Sequence, residues 1–374
     1  MRTAIDVING NGLWAVDTGD NLPWLRRLPK KSVRCCVTSP PYYGLRDYGT
    51  GEWEGGDPAC DHKQGRMVSN KSTLRSDGRE HTGPYESEKR ATNGMPYRDA
   101  CAKCGAIRRD DQIGLEETPD DYVDALVRVF RRVRDVLTDD GTLWLNLGDS
   151  YASGPGGGKQ GATSQRKGRT NVEEQLRGRC SPGVKPKDLM GIPWRAAFAL
   201  QADGWYLRSD IIWHAPNKMP ESVTDRPTRA HEYVFLLSKS AQYYYDADAI
   251  KERAVSMGGG ASFGKQNHDA TGTGQQSRTY ERPDYEWRNK RSVWDIPTKS
   301  YHGAHFAVMP AALVVPCIRA GSAVGDVVMD PFTGSGTVLA TAVRERRRGI
   351  GAELNPEYAD IARNRVSGAT PALI

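Results

Sequence analysis

The sequence lacks any apolar run near the roughly 20 residues that a helix needs to span a bilayer, which excludes a transmembrane helix. Its opening, Met1-Arg2-Thr3-Ala4-Ile5-Asp6, has no apolar stretch of the signal-peptide kind. Cysteine is scarce, with seven in 374 residues, and an odd number in so long a chain argues against a secreted disulfide framework. Solenoid-type repeats are missing too. These absences make a soluble cytoplasmic protein the expectation. Hydrophobic residues form 38% of the chain and charged residues 26%, which allows a buried core beneath a large wet surface. The 52 Lys and Arg against 46 Asp and Glu leave a net charge of +6, a mild basicity that permits an acidic partner.

The rest of the composition is unevenly spread. Residues 13–48, 112–150, 188–250 and 301–368 have the pattern of folded α/β structure. Residues 55–110, 151–187 and 251–290 are polar and Gly-rich, and long aperiodic segments of this kind are usually functional or mobile. Val33 to Thr38 reads as a strand stopped at Ser39-Pro40-Pro41. Thr118-Pro119-Asp120-Asp121 reads as a capped helix start, and Tyr122, Leu126, Val129, Phe130, Val133 and Leu137 continue one helical face. Asp139-Asp140-Gly141 should break that helix before a buried strand, Thr142 to Leu147. The rhythm then predicts a helix over Met190 to Ala202 and strands over Trp14 to Val16, Tyr206 to Trp213, Val327 to Met329 and Gly349 to Ala352. Further helices are expected over Thr337 to Arg346 and from Asn355-Pro356 onward. Such alternation predicts a Rossmann-like α/β fold, its mostly parallel sheet covered by helices on both faces. In such sheets the chemistry lies just beyond the C-terminal strand ends.

Two turns occupy that position. Asp330-Pro331-Phe332-Thr333-Gly334-Ser335-Gly336-Thr337 follows a strand and opens a helix, and its glycines let a ligand approach the backbone. Glu353, after the next strand, stands where an acid would bond ribose hydroxyls. The plainer alternative is a tight turn with a surface Glu. Thr38-Ser39-Pro40-Pro41-Tyr42 offers rigid carbonyls beside an aromatic face with a polar tip, suited to a flat heterocycle bearing an exocyclic amine. A Pro-Pro turn with a packed Tyr is the alternative there.

Together these motifs resemble the S-adenosylmethionine-dependent amino-methyltransferases of DNA. The catalytic motif comes first and the cofactor motif last, which is similar to the circularly permuted β-type order of that family. Gly141 to Asp149 resembles the strand and turn downstream of the catalytic motif, and Asp210 to Asn217 resembles the segment shaping the target-base pocket. His305-Phe306-Ala307 with Pro310 and Leu313 resembles the helix start that packs on the cofactor's methionine part. The resemblance implies a methyltransferase fold with S-adenosylmethionine held by Asp330, Phe332, Gly334, Ser335, Gly336 and Thr337, with Glu353 on the ribose, His305 beside the methionine and Asp20 toward the adenine. It implies catalysis by Ser39, Pro40, Pro41 and Tyr42, with Trp213 and Asn217 at the base pocket.

The implied mechanism has no covalent intermediate. The amine of a flipped-out base would donate to Ser39 and the Pro40 carbonyl, stack on Tyr42 and attack the sulfonium methyl in line. Ser at the first motif position is associated in the family mainly with cytosine N4, and Asp or Asn with adenine N6. Ser39 therefore favours cytosine N4, with adenine N6 as the alternative. Methylation of RNA or of a protein glutamine, and a non-catalytic DNA-binding protein, are the remaining readings. Cytosine-C5 chemistry needs a nucleophilic cysteine, and Pro316-Cys317 lies in an apolar stretch where a thiol is inert. Duplex DNA is the partner implied, with a cognate restriction endonuclease as a candidate second one. No membrane is expected, and the sequence carries no signal for an oligomeric state.

The polar segments read as insertions. Cys60 and His62 with Cys101-Ala102-Lys103-Cys104-Gly105 have the spacing of a structural zinc knuckle. A redox Cys-x-x-Cys is the rival reading, and His81 is an alternative ligand. Residues 151–187 form a basic, Gly-rich stretch expected to be a mobile loop that meets phosphate, or a solvated connector. Arg226, Arg229, Arg288 and Arg291, interleaved with aromatics such as Trp287, make residues 218–300 the expected target-recognition region. Some of these arginines could equally pair with neighbouring acids. The expected division is therefore catalytic parts at 1–54, 112–217 and 301–374, a zinc-binding insertion at 55–111 and target recognition at 218–300.

Overall fold

The computed structural model describes residues 2–44, 50–62, 100–152, 184–254, 286–299 and 309–369. The chain divides into two compact units, one of residues 1–46 with 113–374 and one of residues 47–112. The strands are β1 (Trp14–Thr18), β2 (Val33–Thr38), β3 (Glu52–Glu54), β4 (Ile107–Arg109), β5 (Leu137–Leu147), β6 (Tyr206–His214), β7 (His231–Ser238), β8 (Glu252–Arg253), β9 (Trp287–Arg288), β10 (Val293–Asp295), β11 (Val327–Asp330) and β12 (Arg348–Glu353). The helices are α1 (Ala4–Ile8), α2 (Asn21–Arg27), α3 (Pro119–Val136), α4 (Ile192–Ala202), α5 (Ala311–Gly321), α6 (Thr337–Arg344) and α7 (Pro356–Ser367).

In the larger unit eight strands form one sheet in the order β1-β12-β11-β2-β5-β7-β6-β10. Of these eight described strands only β7 runs antiparallel, against both β5 and β6. The sheet is mostly parallel, as the alternating pattern predicts. Strand β5 shows why its segment is so apolar. Leu143, Leu145 and Leu147 join the core under α1–α4, while Trp144 joins the core under α5–α7. From Gly141 to Leu147 burial on both faces leaves no solvent-facing side to the strand. Helix α3 presents Tyr122, Leu126, Val129, Phe130 and Val133 to the first of these cores. Its Thr118 side chain accepts the Asp121 N–H at 3.1 Å, as an N-cap should.

Some boundaries differ from the sequence pattern for local reasons. Helix α3 stops at Val136, and Leu137 already pairs with Val33, so Asp139-Asp140-Gly141 forms a bulge within β5 rather than the helix break. Helix α4 starts at Ile192 rather than Met190, because Gly191 takes a left-handed conformation with φ of 69°. The Asp149 carboxylate then receives the Gly191 and Ile192 N–H groups at 3.1 and 3.0 Å, a cap supplied from the end of β5. Helix α6 ends at Arg344, two residues short of the expected Arg346. Among the described residues no helix is long and apolar enough to cross a membrane.

Candidate active site and metal centre

Direct pairing of β11 with β2 sets Met329 opposite Cys36. The turns after these strands therefore leave the sheet at the same rim. The Thr38 hydroxyl donates to Asp330 Oδ1 at 2.6 Å, across 292 positions of sequence. Asp330 Oδ1 also accepts the Phe332 N–H at 3.0 Å, which folds the backbone back into the Gly-rich turn. Burial pushes the Asp330 carboxyl up to about 7, against the opposing pull of its Thr38 and Phe332 bonds. From the end of β12, Glu353 accepts the Gly334 N–H at 2.8 Å and the Asn355 N–H at 3.0 Å, and burial raises its pKa as well.

Gly336 has φ of 79°, and a Cβ there would lie 3.0 Å from Ala362 of α7, so the turn needs glycine on both counts. At Gly334, with φ of 51°, a Cβ would meet only the Phe332 carbonyl, at 4.0 Å, and the backbone faces open space. Ser335 and Thr337 point elsewhere: both hydroxyls are held by Arg365 of α7, at 2.9 and 2.8 Å. Asp20 caps α2 by accepting the Leu22 N–H at 2.9 Å, and the neighbouring Asn21 donates to the Pro331 carbonyl at 3.4 Å. His305 lies outside the described residues.

Ser39-Pro40-Pro41-Tyr42 leaves β2 with its backbone fixed by the Tyr122 hydroxyl, which donates to the Pro41 carbonyl at 2.9 Å. The Tyr42 ring lies so close to Gly148 that a Cβ there would fall 2.5 Å from Cε2. Its hydroxyl is 2.6 Å from Glu232 Oε2, 3.1 Å from Asn146 Oδ1 and 3.5 Å from Ser39 Oγ. Sequence reasoning missed Asn146 and Glu232. The available signal was a single polar residue at the C-terminal end of the apolar β5, and an acid just before the apolar Val234–Leu237 run.

The other expected base and DNA residues are placed differently. Trp213 is buried and donates its indole N–H to the Ile296 carbonyl at 2.8 Å, which makes it a core residue in this structure. Asn217 clamps Thr298, donating to its carbonyl at 3.0 Å and accepting its N–H at 2.8 Å. Arg226 stacks 3.7 Å over the Tyr151 ring and pairs with Glu221, while Arg229 donates to the Asp149 carbonyl. Arg288 and Arg291 share the Glu252 carboxylate, and Trp287 is half exposed on the β8–β9 ribbon. Most of the basic stretch at 151–187 lies outside the described residues. Cys35, Cys36 and Cys317 are buried, and burial drives each thiol upward, Cys35 to about 12, which leaves no activated nucleophile among them.

In the smaller unit β3 and β4 pair as an antiparallel ribbon. Cys60, His62, Cys101 and Cys104 converge so that their ligand atoms all lie within 4.8 Å of one another. The Cys60 and Cys101 sulfurs are 3.7 Å apart, close to the ~3.8 Å edge of a zinc–thiolate tetrahedron. Gly105, with φ of 74°, turns the backbone after Cys104, and Trp53 stacks on His62 at 4.4 Å.

Comparison with solved structures shows the class of fold. The PvuII DNA methyltransferase (cytosine-N4-specific) matches 95% of this chain and 86% of its own, with a TM-score of 0.53 and 18% identity. The larger unit thus has a methyltransferase-type sheet. In sequence, the chain is 42% identical to the type II methyltransferase M.Cfr9I of Citrobacter freundii, over 94% of this chain and 86% of the relative. It is 40% identical to M.SmaI of Serratia marcescens, over 93% and 89%. The DNA methylase family model N6_N4_Mtase matches residues 33–364, and the chain belongs to that family.

Proposed function

We propose that the protein transfers the methyl group of S-adenosylmethionine to the N4 amine of a cytosine turned out of duplex DNA. The observation that carries this reading is the 2.6 Å bond between Thr38 and Asp330, which ties the Pro-Pro turn to the Gly-rich turn at one rim. The donor set fits the cofactor. The Glu353 carboxylate accepts the Gly334 N–H on one oxygen and the Asn355 N–H on the other and retains acceptor capacity for a ribose hydroxyl, and Gly334 leaves open backbone beside Phe332. When bound, the cofactor supplies a methyl group on a sulfonium, a good leaving group. Ser39 and the Pro40 carbonyl accept the amine hydrogens and draw its lone pair out of conjugation, and the Tyr42 ring stacks on the base. Catalysis is then positioning and electrostatics.

The choice of N4 rests on Ser39 at the first position of the motif, and adenine N6 is the alternative. The half-exposed Trp287 and its neighbouring arginines Arg288 and Arg291 are assigned to target recognition, with Arg226 and Arg229 flanking the rim. A restriction endonuclease reading the same sequence is the partner such a mark would block. In the smaller unit, Cys60, His62, Cys101 and Cys104 would hold a structural zinc. The test of the reaction is digestion of methylated DNA to nucleosides followed by mass spectrometry. N4-methylcytosine is expected, and N6-methyladenine alone would replace the base assignment.

A further inference from the structure

We infer that Glu232 is the terminal proton acceptor of the reaction, reached from the substrate amine through the hydroxyls of Ser39 and Tyr42. The inference rests on the methyl-transfer reading above and adds the fate of the proton. An amine that keeps both hydrogens after methylation is cationic, so one must leave. Ser39 alone is a poor destination, because an alkyl hydroxyl binds a second proton weakly in water-like surroundings.

The geometry supplies an ordered path. The Ser39 hydroxyl donates to Tyr42 Oη at 3.5 Å, the outer limit of a hydrogen bond. Tyr42 in turn lies 2.6 Å from Glu232 Oε2, a length typical of a hydroxyl donating to a carboxylate. A phenol has one hydrogen, and the shorter contact directs it to Glu232 rather than to Asn146 at 3.1 Å. The chain of donors therefore points outward from Ser39. Asn146 donates to Glu232 Oε2 at 3.4 Å and to the Tyr233 carbonyl at 3.1 Å, which holds the carboxylate in line. Burial, with the adjoining Glu232 charge, pushes the Tyr42 hydroxyl well above its ordinary pKa, so Tyr42 relays a proton rather than standing ionised. The Glu232 side chain is 18% exposed, which gives the proton an exit to water, and its other oxygen is held 3.3 Å from Lys218 Nζ.

The balance is simple. The amine lone pair forms the N–C bond, and the C–S pair returns to sulfur. The amine proton passes to Ser39 as the Ser39 proton passes to Tyr42 and the Tyr42 proton to Glu232. The carboxyl then releases its proton to solvent, and both hydroxyls rotate back.

The test uses the full-length protein, genomic DNA from a bacterial host lacking the enzyme, and S-adenosylmethionine labelled in the methyl group. E232Q keeps an acceptor for Tyr42 but cannot take up the proton, and Y42F keeps the ring but removes the relay. Each should lower kcat about 100-fold, the scale of general-base catalysis, with calorimetric S-adenosylmethionine binding unchanged. The double variant should be no slower than the slower single one, because both remove the same path. Parental turnover by E232Q, or additive losses in the double variant, would overturn the relay alone. A parent protein that transfers no methyl to DNA would overturn the functional reading and the relay with it.

Discussion

Tyr42 brings two contributions to one side chain. Its ring closes against Gly148 at the rim, and its hydroxyl is bonded to Glu232. Replacement by Ala removes both. Loss of the hydroxyl alone should cost about 100-fold and base stacking is worth roughly a further 1–3 kcal/mol, so turnover should fall by more than about 100-fold, whereas cofactor binding at the Gly-rich turn should persist. Parallel kcat and calorimetric measurements check this; a parental rate would remove the stacking role. Asp330 carries a different prediction, one of pH. Its carboxyl is 3% exposed and its folded pKa is about 7, against an ordinary 3.8. Between these values the folded chain holds a proton that the unfolded chain has lost. Its contribution to stability is therefore fully present below pH ~4 and is lost as pH rises to ~7, by as much as about 4 kcal/mol. Asp330→Asn should flatten this part of the profile. Urea melts of both proteins across pH 4–8, taken as a difference, would show it, and identical slopes would remove the claim.

At the scale of elements, the sequence was most legible where a single period governs burial. The β2, β11 and β12 strands and the α3 and α7 caps follow from local residues, because apolar runs and capping side chains act within a few positions. The α4 start was not legible, since its cap is Asp149, 42 positions upstream of Gly191. The same holds for Ser335 and Thr337. They sit in a ligand-type turn, yet their hydroxyls are taken by Arg365, some 30 residues on. Glu232 was invisible for that reason too, as its significance comes from Tyr42, 190 positions away. The convergence of Cys60, His62, Cys101 and Cys104 was legible because ligand spacing is itself the signal. With Cys101→Ser and Cys104→Ser together, two of four donors are lost, and bound zinc measured by mass spectrometry should fall from one equivalent to near none. Unchanged zinc content would refute the site.

For the larger unit as a whole, the permuted order of motifs matters less than the sheet that reunites them. β2 pairs with β11, and β11 with β12, so the Pro-Pro and Gly-rich turns share one rim although the chain visits them nearly three hundred residues apart. A ligand spanning that rim binds only the folded chain, so it should stabilise the fold by mass action, by about 2.7 kcal/mol at a hundred times its Kd. In a unit of this size that is a rise in Tm of several degrees. The shift separates the two halves of the rim. Asp330→Ala disrupts the link to Thr38 and the Phe332 turn, and should abolish the shift given by S-adenosylmethionine. Tyr42→Ala leaves that turn intact and should keep the shift while losing turnover. Thermal melts of the three proteins with and without the cofactor test the division. If Asp330→Ala keeps the full shift, the cofactor does not occupy the Gly-rich turn, and the rim loses its methyl donor.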